Sequence, residues 1–128
     1  MRASASLPVM PSGSALPTFT REPLGQLELI AVHGELDRHS VPRLRAVLRE
    51  AVAQQPGRLL LDLEGVSYLD SVALTAIIAA WRALVRRGGA LVVVCTAAIP
   101  RRLIAATRVD ELIDVYGSRA EALTQLTS

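Results

Sequence analysis

Two short apolar runs place the strongest constraint on how this 128-residue chain can fold. Residues 58–63 and 90–95 are each almost continuously hydrophobic, which is typical of strands that are buried on both faces of a parallel sheet. Between them, apolar residues recur at helical spacing and predict a helix from about Ser71 to Arg87. The predicted core stripe of this helix consists of Leu74, Ile77, Ile78, Trp81, Leu84 and Val85. A strand, a helix and a second strand in this order indicate a parallel crossover, the basic unit of α/β folds.

The same alternation extends toward the N-terminus. Strands are predicted at about residues 18–21 and 27–32, and the Gly-Glu-Leu-Asp segment at 34–37 is expected to form a turn. An amphipathic helix follows, with Ser40 as its predicted N-cap, and it ends before the Pro-Gly pair at 56–57. The first two strands are expected to pair as an antiparallel hairpin.

Toward the C-terminus, a short helix is predicted at about residues 101–106 and a strand near residues 113–116. The last helix begins with a capping box, in which Glu121 follows Ser118 by three residues. We therefore expect an α/β fold with a mixed, mostly parallel sheet, an antiparallel edge strand and about four helices.

The domain organisation follows from where the periodicity begins. Residues 1–16 are rich in Ser, Ala and Pro and are expected to form a flexible tail, whereas residues 17–128 are expected to form one domain. The longest nearly unbroken apolar run, residues 72–81, is about half the length that crosses a bilayer, so no membrane insertion is expected. A single cysteine and the absence of a recognisable signal peptide favour the cytoplasm.

The charged residues exclude several kinds of chemistry. The chain has 14 basic and 12 acidic residues, and every basic residue is Arg. The absence of Lys excludes a phosphate-loop lysine and a Schiff-base nucleophile. Interspersed acids and 3% aromatic residues argue against direct nucleic-acid binding. His33, His39 and Cys95 match no zinc spacing, so neither a metal site nor a cofactor is expected.

The candidate functional residues lie where the predicted parallel strands end, because ligands of open α/β sheets gather there. These positions are Asp37, the predicted loop at residues 64–70, and Ser71, which opens the second helix. A hydroxyl at a helix N-terminus faces unpaired backbone N–H groups, which also favour a phosphate. Ser71 could equally serve as an N-cap, Asp37 as a turn residue and Asp70 as a favourable charge at the helix start.

The segment Leu69-Asp70-Ser71-Val72-Ala73-Leu74 resembles the motif of the STAS domain family, which commonly reads Asp-Ser-Ser-Gly-Leu. Residues 34–37, 61–66 and 88–94 resemble further family segments in the same order, so the resemblance covers about residues 17–126. It implies a STAS fold in which Ser71, directly after the aspartate, is phosphorylated. Val72 and Ala73 depart from the family's usual Ser and Gly.

The resemblance also implies a function. Single-domain STAS proteins act as anti-sigma factor antagonists: they bind an anti-sigma factor that is also a serine kinase, and a serine phosphatase resets them. By this resemblance Asp37, Asp70, Val72 and Ala73 are expected at the partner-binding surface. The chain itself would have no catalytic residue and no cofactor. The alternative is a soluble STAS subunit of a lipid-transport ABC complex, while a receiver-like phosphoaspartate domain is disfavoured by the absence of Lys.

Overall fold

The computed structural model describes residues 16–54 and 56–127. The predicted tail therefore lies almost entirely outside the described residues. In chain order the elements are β1 (Thr18–Leu24), β2 (Leu27–Leu36), α1 (Val41–Ala53), β3 (Arg58–Leu69), α2 (Ser71–Val85), β4 (Ala90–Val94), α3 (Ala98–Ala106), a 3₁₀ turn (Val109–Glu111), β5 (Val115–Tyr116) and α4 (Arg119–Thr127).

The strands form one five-stranded sheet in the order β1-β2-β3-β4-β5. β1 pairs antiparallel with β2, and each later pairing is parallel. Sequential parallel neighbours joined by right-handed crossovers place their connecting helices on one face of the sheet. The predicted fold class is confirmed. None of the described helices is long and apolar enough to cross a bilayer.

Strand alternation creates a separate core on each face of the sheet. On β3, Leu59, Leu61 and Leu63 belong to the core that α1, α2 and α3 cover. Leu60 points to the other face, where it packs in a smaller core with Ala122 and Leu126 of α4. In the part of the chain that the structure describes, three helices thus cover one face and one short helix covers the other.

The predicted loop at residues 64–70 is wrong in large part, because β3 continues to Leu69. Two extra residues interrupt its pairing with β2: Ala31 pairs with Asp62 but His33 pairs with Gly65, and Gly34 pairs with Val66 but Glu35 with Tyr68. Each step inserts one residue into β3 as a β-bulge. The bulges break the alternation of apolar and polar residues and make the strand resemble a loop in the sequence.

The predicted turn at residues 34–37 is also mostly wrong, since β2 extends to Leu36. Gly34 suggested a turn, and it does adopt a positive φ of 115°, but it does so within the bulged part of the strand. β2 and β3 thereby extend together beyond β4, whose pairing with β3 stops at Val94. At the carboxyl end of the sheet, β2 and β3 therefore form a two-stranded extension beyond β4.

Helix α2 differs from the prediction in its buried face. Ile78 and Trp81 are only partly buried, and Val85 is 46% exposed. The buried positions are Ala73, Leu74, Ala76, Ile77, Ala80 and Leu84. Alanines therefore join Leu74, Ile77 and Leu84 on the buried face, and Ile78, Trp81 and Val85 lie toward its edge. The helix also ends two residues before Arg87.

Helix α4 is fixed at its start by the predicted capping box and by an ion pair. The Ser118 hydroxyl accepts the Glu121 N–H at 3.0 Å, and the Glu121 carboxylate accepts the Gly117 N–H at 2.9 Å. Arg119 donates twice to buried Asp62, at 2.9 and 2.7 Å. The second Asp62 oxygen accepts the Glu64 N–H next to the first bulge, so this carboxylate joins α4 to β3.

Candidate functional site

The N-terminus of α2 is held to the sheet by Asp70. Its backbone N–H donates to the Leu36 carbonyl at the end of β2, at 3.1 Å. The residue is extended, with φ −102° and ψ 176°, and its carboxylate accepts the Ala73 N–H at 2.9 Å. Asp70 is therefore the N-cap of α2, which satisfies one of the free donors of the first turn.

Ser71 is the first helical residue of α2 and its side chain is exposed. Within the described part of the chain, its hydroxyl makes no hydrogen bond, so the N-cap role considered for it belongs to Asp70. Its backbone carbonyl accepts the Thr75 hydroxyl at 2.9 Å. Among these same residues, the backbone N–H groups of Ser71 and Val72 also have no protein acceptor. The hydroxyl is free to react or to be contacted.

The residues that follow Ser71 divide between surface and core. Val72 is 41% exposed and presents an apolar side chain beside the hydroxyl. Ala73 is 0% exposed and packs in the larger core, so its side chain offers no surface to a partner. Tyr68, two residues before Asp70, is 40% exposed; from the sequence it was expected only as part of the predicted loop, because the bulges in β3 disguise which of its residues face outward.

Asp37 lies at the end of β2, beside the Asp70 cap. Its carboxylate accepts the N–H groups of His39 at 2.9 Å and Ser40 at 3.1 Å, which forms the turn that starts α1. Ser40 is at the N-cap position of α1, but its hydroxyl bonds back to Asp37 instead of capping the helix. Asp37 therefore stabilises the turn, which is one of the two roles considered for it, and the residue remains partly exposed.

Together, paired strand ends bring Asp37, Asp70, Ser71 and Val72 to one edge of the sheet. Leu36 pairs with Leu69, so the residues that follow them are neighbours. No basic side chain in the described residues hydrogen-bonds the Ser71 hydroxyl, and these residues contain no cluster of three potential metal ligands. An exposed hydroxyl at a helix N-terminus lies where backbone N–H groups favour a phosphate.

Comparisons with known proteins bear on the family and the fold of this chain. A family model described as the STAS domain matches residues 24–122. The Anti-sigma F factor antagonist of Paenibacillus polymyxa is 25% identical over 99 residues, which is 77% of this chain and 85% of that protein.

Solved structures give the same result. An anti-sigma factor antagonist from Mycobacterium paratuberculosis has a TM-score of 0.82 and 29% identity, covering 88% of this chain and 95% of that one. The Bacillus cell fate determinant SpoIIAA in its phosphorylated form has a TM-score of 0.67 and 21% identity, covering 85% and 99%. At that identity, the second comparison shows the fold alone.

Proposed function

Because the chain belongs to the STAS domain family, we propose that it is an anti-sigma factor antagonist that acts in the bacterial cytoplasm. It binds an anti-sigma factor with serine-kinase activity and thereby releases a sigma factor. Phosphorylation of Ser71 by that kinase ends the binding, and a serine phosphatase restores it. The names of the relatives at 25% and 29% identity support the antagonist function.

The observation that carries the proposal is the exposed, unbonded hydroxyl of Ser71 at the start of α2. A kinase can reach this oxygen without opening any hydrogen bond of the described chain. Val72 beside it supplies exposed apolar surface for a partner. Asp37 and Asp70 would flank this contact with carboxylates, whereas buried Ala73 would contribute only through the position of its backbone.

The same geometry gives phosphorylation opposite effects on the fold and on the complex. A phosphate adds a charge of about −1.5 to −2. The free N–H groups of Ser71 and Val72 and the helix dipole favour that charge, so the fold tolerates it. In an interface the charge would be desolvated beside Asp70, which can cost several kcal/mol and abolish a complex of about micromolar affinity.

The covalent step needs no catalytic group from this chain. The Ser71 oxygen attacks the γ-phosphorus of ATP, a new O–P bond forms, and the bond to the leaving ADP breaks. The hydroxyl proton passes to a base of the kinase, which also binds the ATP and Mg²⁺. The phosphatase returns Ser71 by hydrolysis of the same O–P bond.

The test uses the full chain with an anti-sigma kinase encoded in the same genome, ATP and Mg²⁺. The protein should gain about 80 Da, the mass of HPO₃, and peptide mapping should place the phosphate on Ser71. Ser71→Ala should abolish the gain and keep kinase binding, measured by calorimetry. Ser67→Ala, which changes another exposed serine near the site, is the matched control and should be phosphorylated normally.

Phosphate found on Ser67, or undiminished kinase binding by the phosphorylated protein, would contradict the switch. If every such kinase of the genome fails to bind or modify the protein, while a transporter ATPase binds it, the lipid-transport subunit becomes the better assignment.

A further inference from the structure

We propose that the groove between α1 and α2 is a second docking site, which binds an acidic amphipathic helix of a partner protein. The groove encloses about 370 Å³. Leu48 and Val52 of α1 and Ala76 and Ala80 of α2 form its buried floor. Further alanines form its walls, and three arginines stand at its rim: Arg45 and Arg49 of α1, and Arg87, two residues past the end of α2.

The two arginines that α1 places at the rim carry a positive charge that no described acidic residue neutralises. Arg45 and Arg49 lie one turn apart on α1, and neither makes an ion pair within residues 16–54 and 56–127. Arg87 lies on the opposite rim, where its guanidinium donates to the Val52 carbonyl at 2.9 Å. Among the described residues, those that line the groove include no acidic side chain.

The helices that form the groove offer no anion to these arginines. Glu50 is the one acidic residue of α1, and it pairs with Arg21 of β1. α2 contains no acidic residue. Like charges one turn apart repel each other, so Arg45 and Arg49 are arranged for an external anion.

The shape of the groove favours a helix as the source of that anion. An alanine floor lets another helix approach closely, and glutamates spaced one turn apart on that helix would meet Arg45 and Arg49 in two-pronged carboxylate pairs. None of the large exposed apolar side chains of the described residues lines the groove, which disfavours a lipid surface. No aromatic side chain lines it either, which disfavours single-stranded nucleic acid.

The docking site is separate from the site at Ser71. Ala80, in the middle of the groove, lies nine residues along α2 from Ser71, which is about 14 Å at the helical rise. The inference therefore does not depend on the proposed function, and a change at Ser71 should leave the groove intact.

The probe is a synthetic, fluorescein-labelled helical peptide of about 18 residues, with alanine and leucine on one face and glutamate on the other. Its control has glutamine at every glutamate. Fluorescence anisotropy in low salt measures binding, and amide chemical shifts map the contact. The glutamate peptide should shift amides of α1 and of residues 76–87, and added salt should weaken its binding.

Matched variants distinguish binding in the groove from a general effect of the protein's positive charge. Arg45→Gln/Arg49→Gln should raise the Kd for the peptide by about tenfold or more. Arg82→Gln/Arg102→Gln removes the same charge from exposed residues outside the groove and should change the Kd by less than about twofold. Ala79→Glu should block binding by placing a carboxylate on the groove wall, and circular dichroism checks that each variant folds. Ser71→Asp should bind the peptide as the unchanged protein does.

The inference fails if both arginine pairs matter equally, if the glutamine peptide binds as well, or if the peptide does not bind. It also fails if the Arg45/Arg49 dependence appears with phosphatidylserine vesicles or a single-stranded oligonucleotide instead of the peptide. If the peptide does not bind but the kinase still phosphorylates Ser71, the proposed docking site is wrong and the proposed function is unaffected.

Discussion

At the scale of single residues, the central feature is that Asp70 caps α2 while the neighbouring Ser71 keeps a free hydroxyl. Both are good N-cap residues, so the sequence leaves their roles open. The hydrogen bond from the Asp70 N–H to Leu36 at the end of β2 fixes Asp70 in an extended conformation, and its carboxylate then takes the cap. Ser71 falls one position later, where its hydroxyl is not needed by the fold.

This division predicts unequal effects on stability. Asp70→Ala should lower the free energy of unfolding by about 0.5–2 kcal/mol, because the Ala73 N–H loses its acceptor. Ser71→Ala should change it by less than about 0.5 kcal/mol, since no hydrogen bond is lost. Urea denaturation of the two variants measures the difference. An equal loss from Ser71→Ala would show that Ser71 also caps the helix.

Cys95 gives a prediction about pH. Its side chain is 1% exposed at the end of β4, and burial raises the pKa of the thiol, although nearby Arg101 partly opposes the shift. The folded state thus holds its proton to higher pH than the unfolded state, whose thiol pKa is about 8.5. Stability contributed by the neutral thiol is present below that value and is lost as the pH rises above it.

The measurement compares urea denaturation of the protein and of Cys95→Ala at several pH values. The difference between them should change only above about pH 8.5, where the stability of the unchanged protein falls faster. Thiol reagents should also label Cys95 slowly in the folded protein. Rapid labelling under native conditions would contradict the burial.

At the scale of elements, α2 shows where periodicity alone falls short. The spacing predicted the helix and its start, but Ile78, Trp81 and Val85 do not share the deepest face. Alanine counts as apolar in any stripe, and only the approach of α1 decides that the alanines face inward. The prediction for the second half of β3 was wrong for a different reason: each bulge shifts the alternation of apolar and polar side chains by one residue.

Adjacent isoleucines test the buried face of α2. Ile77 is 1% exposed, so Ile77→Ala should cost about 2–5 kcal/mol through lost contacts and a cavity. Ile78→Ala should cost less, because this side chain is partly exposed and water can occupy the space. Thermal and urea denaturation compare them. Equal losses would agree with the stripe predicted from the sequence, in which both isoleucines belong to the core.

At the scale of the whole molecule, the two faces of the sheet are covered unequally. Short connections and buried strands made a mostly parallel sheet with an antiparallel edge strand predictable from the sequence. The paired strand ends, which assemble the candidate site, depend on the β2–β3 extension and could not be predicted from local patterns. The smaller face relies on α4, which contributes Ala122 and Leu126 to its core and is held by the Asp62–Arg119 ion pair.

A charge placed beneath α4 should therefore release one face and spare the other. Ala122 is fully buried, so Ala122→Asp should detach α4 and remove hydrogen-exchange protection from it. Protection of α1 and α2 should persist. Ala120→Asp, on the exposed side of the same helix, is the matched control and should keep full protection. Loss of protection throughout the chain would show that both cores unfold as one unit.

The edge strands of the sheet bear on how the protein behaves at high concentration. An open edge strand is a template on which a second chain can add by backbone pairing, the first step toward aggregation. β1 carries Arg21 and Glu22, and its Pro23 has no N–H to donate to an incoming strand. The opposite edge, β5, is only two residues long. Within the described residues, both edges of the sheet are thus poor templates for growth, which disfavours the joining of sheets when copies of this chain are crowded together.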